Sequence, residues 1–209
     1  MKTPRPGFRM SPDPSATAVP KELTLHTERL YLRPLCESDA EALFSIFSDS
    51  RVTRYLSRPA WSSIASAHER ISLDAKANAS GGYFRFGIEL SSSRSLVGEC
   101  SLFNFVAESR RAEIGYTLGF DAWGKGYMSE ALVRVLEFGF SELSLNRVEA
   151  DIDPRNRASA KCLERLGFRE EGCLRERWIV NGEVSDTAYY GLLSSEWRAR
   201  LRGHHGPHG

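Results

Sequence analysis

The hydrophobic pattern of this chain changes period at Asp121-Ala122-Trp123-Gly124-Lys125-Gly126-Tyr127, and that change limits the fold more than any other feature. Before it, residues 84–90, 96–105 and 112–118 alternate apolar with polar side chains, the period of half-buried strands. Their connectors, residues 91–95 and 108–110, are short and polar, which predicts an antiparallel meander. After it, Met128, Leu132, Val135 and Leu136 recur at helical spacing. A strand over residues 147–153 follows, then a helix with Ser159, Cys162, Leu163 and Leu166 on one stripe. A meander that runs into strand, helix and strand requires a β-α-β crossover in the middle of the sheet. The expected class is therefore α+β: a mixed, mostly antiparallel twisted sheet with helices on both faces.

The remaining elements fit that frame. Leu30 and Leu32 alternate with Tyr31 and Arg33 before Pro34 ends the strand. Ser38 and Glu41 have capping-box spacing ahead of Ala40, Leu43, Phe44 and Phe47, and a second helix is predicted over residues 63–77. Gly167-Phe168 has the form of a glycine C-cap, and Asn181-Gly182 between residues 173–180 and 184–193 is a hairpin signature. Pro4, Pro6, Pro12, Pro14 and Pro20 with few large apolar residues predict a disordered N-terminal tail over 1–21. One domain is expected over 22–199, with a flexible histidine-bearing tail over 200–209. At 209 residues one core is the natural outcome.

Charge and cysteine usage exclude several functions. Lys plus Arg number 28 against 27 for Asp plus Glu, so no global field points to nucleic acid or an anionic membrane. Cys36, Cys100, Cys162 and Cys173 are far apart, with neither zinc spacing nor a disulfide framework, and reduced, mostly buried thiols in a cytoplasmic protein are expected. No apolar run reaches the length of a membrane span and no metal site is predicted.

The two glycines of the junction sit where a strand gives way to a long helix. Without side chains, backbone N–H groups can approach a ligand, and the first helical turn adds unpaired donors and a positive dipole end, which suits a phosphate or pyrophosphate. A plain tight turn would look the same. The segment is no P-loop, and Ser129 stands where a dinucleotide fingerprint needs its third glycine.

Four segments together resemble the GNAT acetyltransferases, in particular the RimJ/RimL-like branch named for enzymes that modify ribosomal proteins. They are Glu113-Ile114-Gly115-Tyr116-Thr117-Leu118, Trp123 to Ala131 around the glycines, Asn156-Arg157-Ala158-Ser159, and Leu163-Glu164-Arg165-Leu166-Gly167-Phe168. The opening Thr27-Glu28-Arg29-Leu30-Tyr31-Leu32-Arg33-Pro34 resembles that branch as well. The resemblance implies acetyl-CoA as co-substrate, no metal, and direct acetyl transfer to a primary amine. It implies that Gly124, Lys125, Gly126, Tyr127 and Met128 hold the pyrophosphate, that Tyr116, Thr117 and Leu118 offer a strand edge to the pantetheine arm, and that Asn156 and Ser159 lie beside that arm. Two departures stand out: Asp121 replaces the Gln or Arg that usually opens the loop, and Leu163 replaces the tyrosine many members use to protonate the thiolate.

Acyl transfer from a thioester needs a held neutral amine, a proton acceptor, and stabilisation of the oxyanion and thiolate. Strand alternation places Glu113 and Thr117 on one face, and Glu149, Asp151 and Asp153 on one face of the next strand. Glu113, directly or through a water, is the first candidate base and Glu149 the second; pairing with Arg111 and Arg147 is the alternative for such carboxylates. Ser159 is the candidate proton donor, or a helix cap after Pro154. Arg155, Arg157, Lys161 and Arg165 form either a solvated face or local charge for the CoA 3′-phosphate. Arg175, Trp178, Asp186 and Tyr190 are candidates for an acceptor site. The expected acceptor is a protein N-terminal amine, with a small-molecule amine and non-catalytic CoA sensing as alternatives. A monomer or homodimer without DNA or membrane partners is expected.

Overall fold

The computed structural model describes residues 23–79 and 82–203. In chain order they form β1 (Leu25–His26), β2 (Leu30–Arg33), α1 (Ala40–Ser48), α2 (Ser50–Thr53), α3 (Ala65–Ala79), β3 (Phe84–Leu90), β4 (Leu96–Val106) and β5 (Arg111–Leu118). Then come α4 (Tyr127–Glu137), β6 (Arg147–Ile152), α5 (Arg157–Leu166), β7 (Arg169–Val180), β8 (Glu183–Leu193) and α6 (Ser194–Gly203). The strands make one eight-stranded sheet in the order β1-β2-β3-β4-β5-β6-β8-β7. Every pairing is antiparallel except β5 with β6, which closes the expected crossover through α4.

Alternation along the strands sorts side chains to two faces. Cys100 and Leu102 of β4, Ala112 and Ile114 of β5 and Val148 and Ala150 of β6 pack with Leu132, Val135, Leu136, Leu163 and Leu166 from α4 and α5. On the other face α1 and α3 make a smaller cluster with Leu35, Leu43, Phe47, Ala67 and Ile71. Gly167 adopts φ 95° and the Phe168 N–H returns to the Leu163 carbonyl at 3.0 Å, closing α5 as its sequence predicts. Asn181 and Gly182 both take positive φ, the turn that lets β7 and β8 pair with matched twist.

Several local expectations are corrected. The cap ahead of α1 is not Ser38 with Glu41: Asp39 accepts the Cys36 N–H at 2.8 Å and a forked contact from Arg33, so the box forms two residues earlier, at Cys36 and Asp39. The two-residue β1 was too short to show a period, and α6 takes in residues through Gly203 that the sequence assigns to a tail. Residues 1–21 and 204–209 lie outside the described residues. Only Cys100 of the four thiols is buried, while Cys36 and Cys173 are exposed. No described helix is long and apolar enough to cross a membrane.

The decisive feature for the site is where the parallel pair stops. β5 and β6 pair only at Arg111 with Arg147, Ala112 with Val148, and Glu113 with Glu149. Beyond that point β5 stays with β4 as far as Leu118 opposite Gly98, and β6 stays with β8 as far as Ile152 opposite Ala188. Each strand follows its antiparallel partner, so the two halves of the sheet part and leave one edge of residues 114–118 unpaired.

Candidate active site

The wedge between the parted strands opens into a cavity of about 320 Å³. Its floor is Ile114, Gly115, Tyr116 and Thr117 of β5, with Ala150, Asp151 and Ile152 of β6 opposite. Asp153, Asn156 and Ser159 close one end, Trp178, Ser185 and Thr187 of the hairpin another, and Arg58, Arg70, Tyr83, Arg85 and Glu99 the side towards α3. A ligand lying in the wedge meets the free backbone groups of β5 as a neighbouring strand would.

At the mouth of the crossover, Gly124 and Gly126 adopt φ 73° and 80°, left-handed conformations that a side chain disfavours. A Cβ on Gly124 would meet nothing within 4 Å, so the loop is open on that side. Among the described residues the N–H groups from Gly124 through Ser129 have no backbone acceptor; the first such bond of α4 runs from Glu130 N–H to the Gly126 carbonyl at 3.1 Å. Successive free donors at a helix N-terminus form a cradle suited to an anion. Asp121 is exposed on the short turn Phe120–Ala122 that precedes the loop.

Ser159 does not cap α5. That role belongs to Asn156, whose side-chain oxygen accepts the Ser159 N–H at 3.1 Å. The Ser159 hydroxyl is instead 2.7 Å from the Tyr116 hydroxyl, which reaches it from β5. Burial pushes the Tyr116 phenol well above its ordinary value despite the bond to Ser159, so it is a neutral donor over the whole working range. Leu163 is fully buried core. A tyrosine hydroxyl thus stands near the start of α5, carried by a different element from the one the family resemblance implies.

The carboxylates separate by position along the strands. Glu113 shares the cavity face but lies at the closed end, opposite Phe103 in register, and is not part of the lining. Glu149 is clamped between Arg111 and Arg147, the latter at 2.7 Å, and is likewise outside the lining. Asp153 lines the cavity but accepts the Arg155 N–H at 2.8 Å and its guanidinium at 2.6 Å; burial raises it, and these contacts outweigh burial and hold it below the usual range. Asp151 lines the cavity, and its carboxylate has no ion pair or hydrogen bond among the described residues. Alternation puts Asp151 on the same face as Glu149; the depth at which the strands part, which brings Asp151 but neither Glu113 nor Glu149 into the lining, depends on pairing with β4 and β8.

Across the cavity, Arg85 is engaged by Glu99 and Asp74, whereas Arg70 touches Glu99 only at 3.4 Å and stacks near Phe47 and Trp61. Burial first, and then its neighbours Arg85 and Arg58, lower the Arg70 value. Arg58 is exposed on the lining without an ion pair among the described residues. Of the proposed acceptor residues Trp178 lines the cavity, while Tyr190 is buried packing bonded to Glu170, and Arg175 and Asp186 lie off the lining. Arg155 is committed to Asp153 and Glu183, leaving Arg157, Lys161 and Arg165 as the exposed cations of α5.

Comparison with known proteins agrees with this geometry. Residues 29–169 match the acetyltransferase (GNAT) domain family. The chain is 37% identical over 174 residues to the uncharacterized N-acetyltransferase p20 of Bacillus licheniformis, covering 83% of this chain and 98% of that one. It is 27% identical over 188 residues to the [ribosomal protein uS5]-alanine N-acetyltransferase of Escherichia coli (strain K12), covering 86% and 94%. A crystal structure of a GNAT-family acetyltransferase from Bacillus anthracis superposes with a TM-score of 0.75 at 28% identity, covering 83% of this chain and 100% of that one. The chain belongs to the GNAT acetyltransferase family, whose fold uses acetyl-CoA as co-substrate.

Proposed function

We propose that this GNAT acetyltransferase acetylates an α-amine, foremost the N-terminus of a protein, by direct attack on acetyl-CoA. The observation that carries the reading is the unpaired edge of residues 114–118 running from the glycine cradle into a cavity with an uncommitted carboxylate. Gly124, Lys125, Gly126, Tyr127 and Met128 hold the pyrophosphate through backbone N–H groups, and the edge at Tyr116, Thr117 and Leu118 pairs with the pantetheine amides. Bound there, acetyl-CoA supplies an activated acyl carbon. Asp151 draws the acceptor ammonium into the wedge and takes its proton, directly or through a water, as the neutral amine attacks. Ser159, backed by the Tyr116 hydroxyl, gives a proton to the departing sulfur. Asn156 fixes the start of α5 so that Ser159 stays in place.

Two features favour an α-amine over a lysine or polyamine. The described lining contains no histidine, so the site lacks a side chain that ordinarily titrates near neutrality. An α-amine with pKa about 8 is already roughly one-tenth neutral at pH 7, whereas one near 10.4 is about two-hundredfold scarcer in neutral form. In addition, Arg58 and Arg70 on the wall towards α3 repel a second ammonium and suit a carboxylate. A small amino-acid-like amine is the second reading, because a cavity of about 320 Å³ accommodates one whole.

The test is thiol release from acetyl-CoA against N-terminal peptides, free amino acids and diamines of matched length. Turnover of peptides or amino acids well above diamines is expected. Preference for diamines removes the α-amine assignment, and CoA binding without acetylation of any amine makes the chain a sensor.

A further inference from the structure

One motif of the sequence is unused by this chemistry: Thr27-Glu28-Arg29, about a hundred residues before the glycine junction and yet in contact with it. The Thr27 hydroxyl donates to Glu130 Oε1 at 2.5 Å, and the Arg29 N–H donates to the same oxygen at 2.9 Å. Arg29 Nε donates to Glu130 Oε2 at 2.7 Å, with Nη2 2.6 Å from that oxygen. The remaining arm, Nη1, donates to the carbonyl of Lys125 at 3.1 Å, and the guanidinium lies 4.8 Å from the Tyr127 ring centroid. Burial alone would raise Glu130, but the Thr27 and Arg29 bonds outweigh it and keep it ionised. Arg29 therefore has one fixed pose, with one arm left for the loop.

The Lys125 carbonyl belongs to the peptide that links the two positions of the cradle's centre. In a trans peptide the C=O and the following N–H point to opposite sides. With the Lys125 oxygen tied to Arg29 on one side, the Gly126 N–H is presented on the other. That peptide plane turns about ψ of Lys125 and φ of Gly126, and Gly126, at φ 80° and without a side chain, offers little steric resistance to the turn, so an external restraint has something to do. We propose that Arg29 is a positioning residue for the acetyl-CoA pyrophosphate: held by Glu130 and Thr27, it fixes the Lys125–Gly126 peptide with its N–H aimed at the anion. The inference rests on the reading that the junction binds pyrophosphate.

The test compares wild type, Arg29→Ala and Arg29→Lys in CoA binding by calorimetry and in turnover with two donors, acetyl-CoA and S-acetyl-pantetheine, which lacks the pyrophosphate. Arg29→Ala should weaken CoA binding about tenfold, the effect of losing one charge-assisted hydrogen bond. It should raise KM for acetyl-CoA to a similar degree and leave S-acetyl-pantetheine kinetics within about twofold of wild type. Arg29→Lys keeps the charge but not the fork that reaches Glu130 and Lys125 together, so it should show the same donor selectivity with a smaller loss. Unchanged CoA affinity in Arg29→Ala overturns the proposal, as do equal losses with both donors in the two variants, which mark a general structural role. A wild-type chain with no affinity for CoA overturns the pyrophosphate reading beneath it as well.

Discussion

Replacing Ser159 by Ala and Tyr116 by Phe, singly and together, separates structural from chemical roles of one hydrogen bond. In Ser159→Ala the Tyr116 hydroxyl loses its 2.7 Å partner and retains only the Ser159 carbonyl at 3.5 Å, a poor substitute. A partly buried hydroxyl left in this state costs about 1 kcal/mol. Tyr116→Phe strands the Ser159 hydroxyl by a similar amount, but the double variant removes both groups and should be no less stable than either single one. Activity follows a different pattern. If Ser159 delivers the proton to sulfur, its loss lowers kcat by about 10²-fold. Tyr116 acts only through it, so Tyr116→Phe should lower kcat by about tenfold and the double variant should match Ser159→Ala. Burial holds the Tyr116 phenol protonated, so no inflection in kcat from this group is expected up to pH about 10. Chemical denaturation gives the stabilities and saturating thiol release gives kcat. A Ser159→Ala kcat within twofold of wild type, or a double-variant loss equal to the product of the single losses, refutes the relay.

Asp151→Asn should lower kcat by about 10²-fold while Glu113→Gln leaves it within twofold, because of these two carboxylates Asp151 alone lines the cavity; steady-state kinetics of the pair decides the base. Gly126→Val forces a β-branched side chain to φ 80°, which should cost about 1–2 kcal/mol in stability and abolish measurable CoA binding by distorting the cradle, as calorimetry can check. Asp39 contributes through its fork to Arg33: burial raises it, but Arg33 and the Cys36 N–H outweigh burial and leave it below the unfolded value of about 3.9. Stability from this group is therefore present above that value and lost as pH falls through the folded value, so the deficit of Asp39→Asn relative to wild type should shrink below about pH 4.

What sequence alone could show divides along a physical line. Period, parity and backbone chemistry are local, and they located the meander, the crossover, the Asn181-Gly182 turn and the Gly167 cap. Parity also put Asp151 and Glu113 on the cavity side of their strands. The point at which β5 and β6 part is set by β4 and β8, and no local pattern encodes it; hence Glu113 stood out from the sequence although it lies at the closed end. The same holds for Tyr116, legible as a strand residue but not as a hydroxyl that reaches Ser159, and for Arg29, whose partners lie about a hundred positions away. The cap before α1 shows a nearer failure: Ser38 with Glu41 has the expected spacing, yet Asp39 is drawn to Cys36 by the fork to Arg33 on β2.

The central claim is that the free edge of β5 and the glycine cradle hold acetyl-CoA beside an α-amine that attacks it directly. Mass spectrometry of an N-terminal peptide incubated with acetyl-CoA and the full chain, before and after Gly126→Val, tests it most directly. A single acetyl group on the peptide α-amine, formed by wild type and absent with the variant, is the predicted result. Acetylation that persists undiminished in Gly126→Val, or none by a wild-type chain that binds CoA, contradicts it.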